Sequence, residues 1–246
     1  MDQTLTTHHT SFPLGITIKE LLEAGVHFGH RSYRWNPKMK PFIFGKKNDI
    51  YIIDLEKTLE RIKLAYEAVR RVAETGQDVI FIGTKPQAKL IIEEEAKRCN
   101  AFYITERWVG GLITNFDVVS TRIARMVELE RILQESKPTN MTKKEMLSLE
   151  REYNKLKKIF NGVRDMDRLP GIAYVVDVAR EATPLAELKR AKIPIVAMID
   201  TNGDPEGIDY PIPSNDDALR SIKLVTGIIA NAVLEGRKGF ETEEVS

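Results

Sequence analysis

Cysteine is almost missing from this chain: Cys99 is the only one in 246 residues. An internal disulfide is therefore excluded, and a cysteine-built zinc site has no support. Long apolar runs are missing too, since none approaches the roughly eighteen residues that a bilayer-crossing helix takes. The opening MDQTLTTHHTSFPLG has no basic segment followed by an apolar one, so neither a secretory leader nor a transit peptide is expected. It reads as a flexible polar arm over residues 1–15. No G-x-G-x-x-G and no G-x-x-x-x-G-K-[ST] occurs anywhere, which removes the two commonest phosphate-cradling loops. Charge of one sign is not in excess either, the formal balance being only +1.

What is present is a globular composition, 42% hydrophobic and 30% charged, with length enough for a sizeable core. The charge is local. Residues 25–47, GVHFGHRSYRWNPKMKPFIFGKK, carry six Lys or Arg and no acid. Residues 143–158 carry six basic residues against three acids, while the end of the chain, 239–246, is an acidic tail. Such a pattern suits patchwise contact with an anion.

Short apolar runs alternate with amphipathic segments. Thr17 and Glu20 form a capping box that opens a short helix ending at Gly25. PFIFGKKNDIYIID has the form of a β-hairpin. Strands are then expected at 50–54, 78–83, 102–105, 173–178 and 193–200, with helices between them and a last helix opened by Ser214. That alternation predicts a doubly wound α/β fold with a five-stranded parallel sheet covered on both faces. One segment departs from it. Val119, Ile123, Met126, Leu129 and Leu133, then Met146, Leu149, Tyr153, Leu156 and Phe160, recur in steps of three and four on either side of the turn KPTN. They predict an inserted antiparallel coiled-coil hairpin over 114–161, with arms of about 30 Å projecting from a body made of 16–113 and 162–238.

Candidates for chemistry are few. The loop after the second strand, GTKPQAK, offers Lys85 either to a phosphate or, more simply, to solvent. DTNGDPEGIDYP imitates a calcium loop, but Pro205 and Pro211 stand where a glycine and a bidentate glutamate are needed. It is read as a turn. His27 and His30, three apart around Gly29, leave metal binding as the lesser alternative, with Asp49 or Asp54 as possible third ligands. The simpler reading packs His27 near the core and turns His30 toward a polar partner. HRSYRWNPKMKPFI makes better sense as an anion-facing surface. Its cations suit phosphates, its aromatics suit bases or riboses, and Trp35 can fold inward while the cations face out.

Taken together, GVHFGHRSYRWNPKMKPFIFG, IYIIDLEKT, FIGTK, RWVGGLITN, MDRLPGIAYVVDV and DTNGDPEGIDYPIPSNDDALRSI resemble the bacterial-type small-subunit ribosomal protein S-two family, from about Ile16 to Arg237. The resemblance implies a flavodoxin-like sheet with the inserted hairpin. It implies a non-enzymatic role without cofactor, membrane or small-molecule substrate. The implied partners are 16S rRNA at the head–body junction, neighbouring small-subunit proteins and the large messenger-binding ribosomal protein, in a bacterial or plastid-type cytoplasm. A nucleotide-binding enzyme on the same fold is the alternative. Within this frame Arg31, Arg34, Lys38, Lys40, Lys46, Lys47 and Arg107 are the expected rRNA contacts, with an ion pair the equal alternative for Arg107. Lys143, Lys144, Arg151, Lys155 and Lys158 are the hairpin cations expected to face protein or RNA. Trp35, Trp108, Gly110 and Gly111 are expected to be structural, with Asn115 starting the next helix. Many family members have Gln or Asn after HFGH where this chain has Arg31.

Overall fold

The computed structural model describes residues 15–134 and 142–244, with side chains as far as 240. The polar arm with His8 and His9, and the KPTN turn, lie outside the described residues. The capping box at Thr17 is formed and opens α1, Ile18–Glu23. Beyond it come β1 (Phe28–Arg31), β2 (Ile43–Lys47) and β3 (Ile50–Ile53), which make a three-stranded antiparallel sheet in the order β1-β3-β2. The hairpin reading of β2 and β3 therefore holds. The placement of 50–54 in the parallel sheet does not.

That second sheet is built from β4 (Val79–Ile82), β5 (Phe102–Ile104), β6 (Ile172–Val176), β7 (Ile195–Ile199) and β8 (Tyr210–Pro213). Its order is β5-β4-β6-β7-β8, all parallel. Counted along the chain this is 2-1-3-4-5, the flavodoxin-like order. The fifth strand is thus YPIP, read from sequence as part of a turn. Two prolines normally demote a strand, but β8 is at the sheet edge, where a missing N–H can face away from the ladder.

Alternate strand residues feed two cores. Val79 and Phe81 join α2 (Leu55–Glu74), α3 (Lys89–Arg98) and α7 (Leu219–Glu244) on one face. Ile80 and Ile82 join Met39, Trp108, Leu112 and α6 (Ala182–Ala191) on the other. Burial on both faces explains why these strands are continuously apolar. The last helix starts later than expected. Ser214 bonds the Ile212 carbonyl, and the Asn215 side chain accepts from the Asp217 and Ala218 amides ahead of Leu219. The helix also continues to Glu244, so the backbone of 239–244 is not a separate tail.

The inserted segment forms α4 (Phe116–Gln134) and α5 (Lys143–Phe160), which lie against one another. Tyr153 donates to Glu130 at 2.6 Å, and Arg125 pairs with Glu152 at 3.1 Å. Val119, Ile123 and Met126 belong to the same apolar cluster as Ile80 and Ile82, so the base of the pair is part of the body's core.

Candidate nucleic-acid interface

The basic stretch around residues 29–47 is held in place from beneath. Gly29 in β1 approaches Thr201 so closely that a Cβ there would stand 2.5 Å from the threonine methyl. The Thr201 hydroxyl accepts the His30 amide at 2.8 Å, and its carbonyl accepts the Asn36 amide at 2.7 Å. Asn36 then caps a 3-10 turn over Pro37–Phe42 through Lys38 N, with Pro37 at its start. Within that turn Met39 is fully buried against the parallel sheet. Trp35 is half-buried and rests on Tyr51, ring centroids 4.9 Å apart. Trp35 is thus partly covered, while the cations around it are exposed. The deeper anchor, Met39, had no distinguishing mark in the sequence beyond its flanking lysines.

The cations divide into two kinds. Arg31, Arg34, Lys40 and Lys47 are exposed, and no ion pair joins any of them to another described residue. Arg34 lies over the Tyr33 ring at 5.7 Å, and Tyr33 is itself exposed. Lys38, by contrast, is bonded to Asp204 at 2.7 Å and to Glu206, which raises its pKa. Lys46 pairs with Asp49 at 3.1 Å. Arg107 is exposed with no ion pair among the described residues. On α5, Lys143, Lys144, Arg151 and Lys155 are exposed, and Lys158 shares Glu106 with Lys89.

The loop RWVGGLIT is organised by a residue that sequence reading did not single out. Glu187 on α6 accepts the Trp108 indole N–H at 2.9 Å and the Gly111, Ile113 and Thr114 amides at 2.8, 3.1 and 3.2 Å. Burial works to raise its pKa, but the Trp108 bond and the three amides outweigh it and hold the carboxyl below the ordinary value. Gly111 has a φ of 89°, which explains glycine there. Nothing in the structure requires glycine at Gly110, and Phe116 begins α4 directly after Asn115.

The strand-end crevice between β4 and β6, where such sheets bind ligands, is already filled. Lys85 is neither solvated nor free for a phosphate. Its ammonium group lies 2.6 Å from Asp216, 2.6 Å from Asp217 and 3.2 Å from Asp177. Burial would lower its pKa, yet these carboxylates raise it. Asp216 is pushed up to about 7, first by burial and then by the charges of Asp200 and Asp177. Beside them His30 has Nδ1 3.0 Å from Asp200 and Nε2 3.4 Å from Asp217; Asp200 raises its pKa against the effect of burial. His27 stands apart among Ile18, Leu22 and Phe44, its pKa lowered by burial. Asp49 and Asp54 do not join either histidine, since one pairs with Lys46 and the other caps α2. An incoming phosphate would meet four carboxylates in this crevice.

A flavodoxin-like plate whose crevice is filled by Lys85 and its carboxylates, and whose exposed cations lie on a tethered rim, has the form of a binding protein. The comparisons narrow this further. The family described as Ribosomal protein S2 matches residues 21–236. The small ribosomal subunit protein uS2 of Fusobacterium nucleatum is 50% identical over 230 residues, covering 93% of each chain. That of Coprothermobacter proteolyticus is 52% identical over 224 residues, covering 91% of this chain and 84% of the relative. The chain belongs to the ribosomal protein S2 family.

Proposed function

We propose that this protein is a structural constituent of the small ribosomal subunit that binds rRNA and neighbouring ribosomal proteins and catalyses no reaction. The observation that carries this reading is the set of exposed cations Arg31, Arg34, Lys40 and Lys47, without an ion pair among the described residues, on a stretch pinned by Thr201 and Met39. Fixed cations of this kind gain affinity by releasing counterions from a phosphate backbone. Tyr33, 73% exposed beside Arg34, adds a stacking face for a base. The nucleotide-enzyme alternative loses ground because the crevice that would take the phosphates is acidic and occupied by Lys85.

The finer reading is that the target is 16S rRNA near the head–body junction of a bacterial or plastid-type ribosome. Residues 16–113 and 162–238 act as the rigid rRNA-binding plate. Residues 114–161 act as a coiled-coil arm whose cations Lys143, Lys144, Arg151 and Lys155 make a second contact. The arm and plate together support docking of the large messenger-binding ribosomal protein. The Arg125–Glu152 and Tyr153–Glu130 contacts support pairing of the two arm helices. Among the described residues no helix is long and apolar enough to cross a membrane. The test is reconstitution with small subunits depleted of this component. The protein should co-sediment with them at low salt and be displaced as salt rises; failure to co-sediment at low salt rules the reading out.

A further inference from the structure

We propose that residues 1–14 of this chain dock on its own surface, in an apolar groove between α1, the start of α2 and the three-stranded sheet. The groove has a volume of about 330 Å³ and is lined chiefly by Ile18, Leu22, His27, Phe44, Ile52 and Leu55. Its apolar walls are open to solvent: Phe44 is 79% exposed, Leu22 52% and Ile18 42%. Phe28 extends the patch, because it too is exposed, stands opposite Ile52 across the sheet and packs on the His27 ring with centroids 4.0 Å apart. Burial lowers the pKa of His27, which keeps this part of the lining neutral. Four large apolar side chains gathered on one face mark an interaction site rather than scattered surface residues.

Two observations select the chain's own arm as the occupant. The first is position. The described residues begin at Gly15, and α1, whose Ile18 and Leu22 form one wall of the groove, starts three residues later. Gly15 has a φ of 56°, the left-handed conformation that turns a chain sharply, and it stands directly ahead of the Thr17 cap. Phe12 is six residues from Ile18, a span of at most about 20 Å, so the groove is within its reach. The second is composition. TSFPLG puts Phe12, Pro13 and Leu14 together immediately before that turn. Residues 1–14 hold no Lys or Arg, so they lack the cations that a phosphate backbone attracts, and Asp2 is their only acid. Apolar groups at the near end of the arm thus meet an apolar groove beside its exit. A docked arm covers Phe44 and Leu22 in the free protein, and any protein that docks on this face has to displace it.

The test is disulfide trapping in the full-length protein. Thr10→Cys and Ser11→Cys are each combined with Glu56→Cys, at the exposed end of the groove, and compared with the same arm positions combined with Leu147→Cys on α5. Cys99 does not compete, being buried with its thiol pushed up to about 11. At micromolar protein under mild oxidation, at least one Glu56→Cys pair should close within the molecule about tenfold faster than its Leu147→Cys control. Phe12→Ser should lower the melting temperature by about 2–4 °C, and by less than half of that when Phe44→Ser is already present. Closure no faster than in the controls overturns the proposal, as does cross-linking only between molecules, which would make a second copy the occupant. Equal melting shifts from Phe12→Ser with and without Phe44→Ser also overturn it.

Discussion

The strand-end crevice and the basic rim lie on either side of Thr201 and use the same residue types to opposite ends. In the crevice Lys85 is buried among three carboxylates, and its charge is spent on holding loops together. On the rim Arg34 and Lys40 are exposed and form no ion pair among the described residues. Lysine or arginine alone thus does not mark an RNA contact. What marks it is a cation whose position is fixed while its charge is left unmatched. Lys38 shows the distinction within a single turn, since Asp204 and Glu206 already claim it.

The comparison is broken most forcefully at Lys85. Lys85→Met leaves the buried carboxylates uncompensated and should cost about 3–5 kcal/mol, read by chemical denaturation. A loss within error would mean that the crevice is not held by this ion pair. Next is the anchor below the rim. Met39→Ala should cost about 2–5 kcal/mol and loosen residues 36–42, visible as faster amide exchange there. Unchanged exchange would place the rigidity elsewhere.

Glu187→Gln has a smaller effect, about 1–3 kcal/mol, because an amide meets the Trp108, Gly111, Ile113 and Thr114 donors poorly. Its pH dependence has a definite sign. The folded pKa of Glu187 lies below the ordinary 4.5, so its stabilisation is full above that value and is lost as pH falls through the folded one. The gap between wild type and Glu187→Gln should therefore narrow on acidification below about pH 4.5 and stay constant above it. A gap that widens in acid would contradict the assigned hydrogen bonds.

Much of the fold was legible in the sequence because its signals are local. The Thr17 capping box, the stripe from Met146 to Phe160 and the apolar strands are set by period and composition. The misplaced strand was not legible: IYII has the composition of a buried parallel strand, and only its pairing with β1 and β2 shows otherwise. YPIP was missed because tolerance of its prolines depends on an edge position that the topology supplies. At the site, exposure of the rim cations followed from their density. Their sorting into paired and unpaired did not, because Asp204 and Glu206 are more than 160 residues from Lys38 along the chain. Glu187 and Lys85 were hidden for the same reason: each acts on partners remote in sequence.

The most direct test of unmatched rim charge is the salt dependence of rRNA binding. Removing one phosphate-neutralising cation should lower the log–log slope by about 0.7–0.9. Arg34→Ala/Lys40→Ala should therefore bind more weakly and flatten the slope by about 1.4–1.8, while Lys38→Ala leaves the slope nearly as in wild type. An unchanged slope in the double variant, or an equal flattening from Lys38→Ala, would contradict the account.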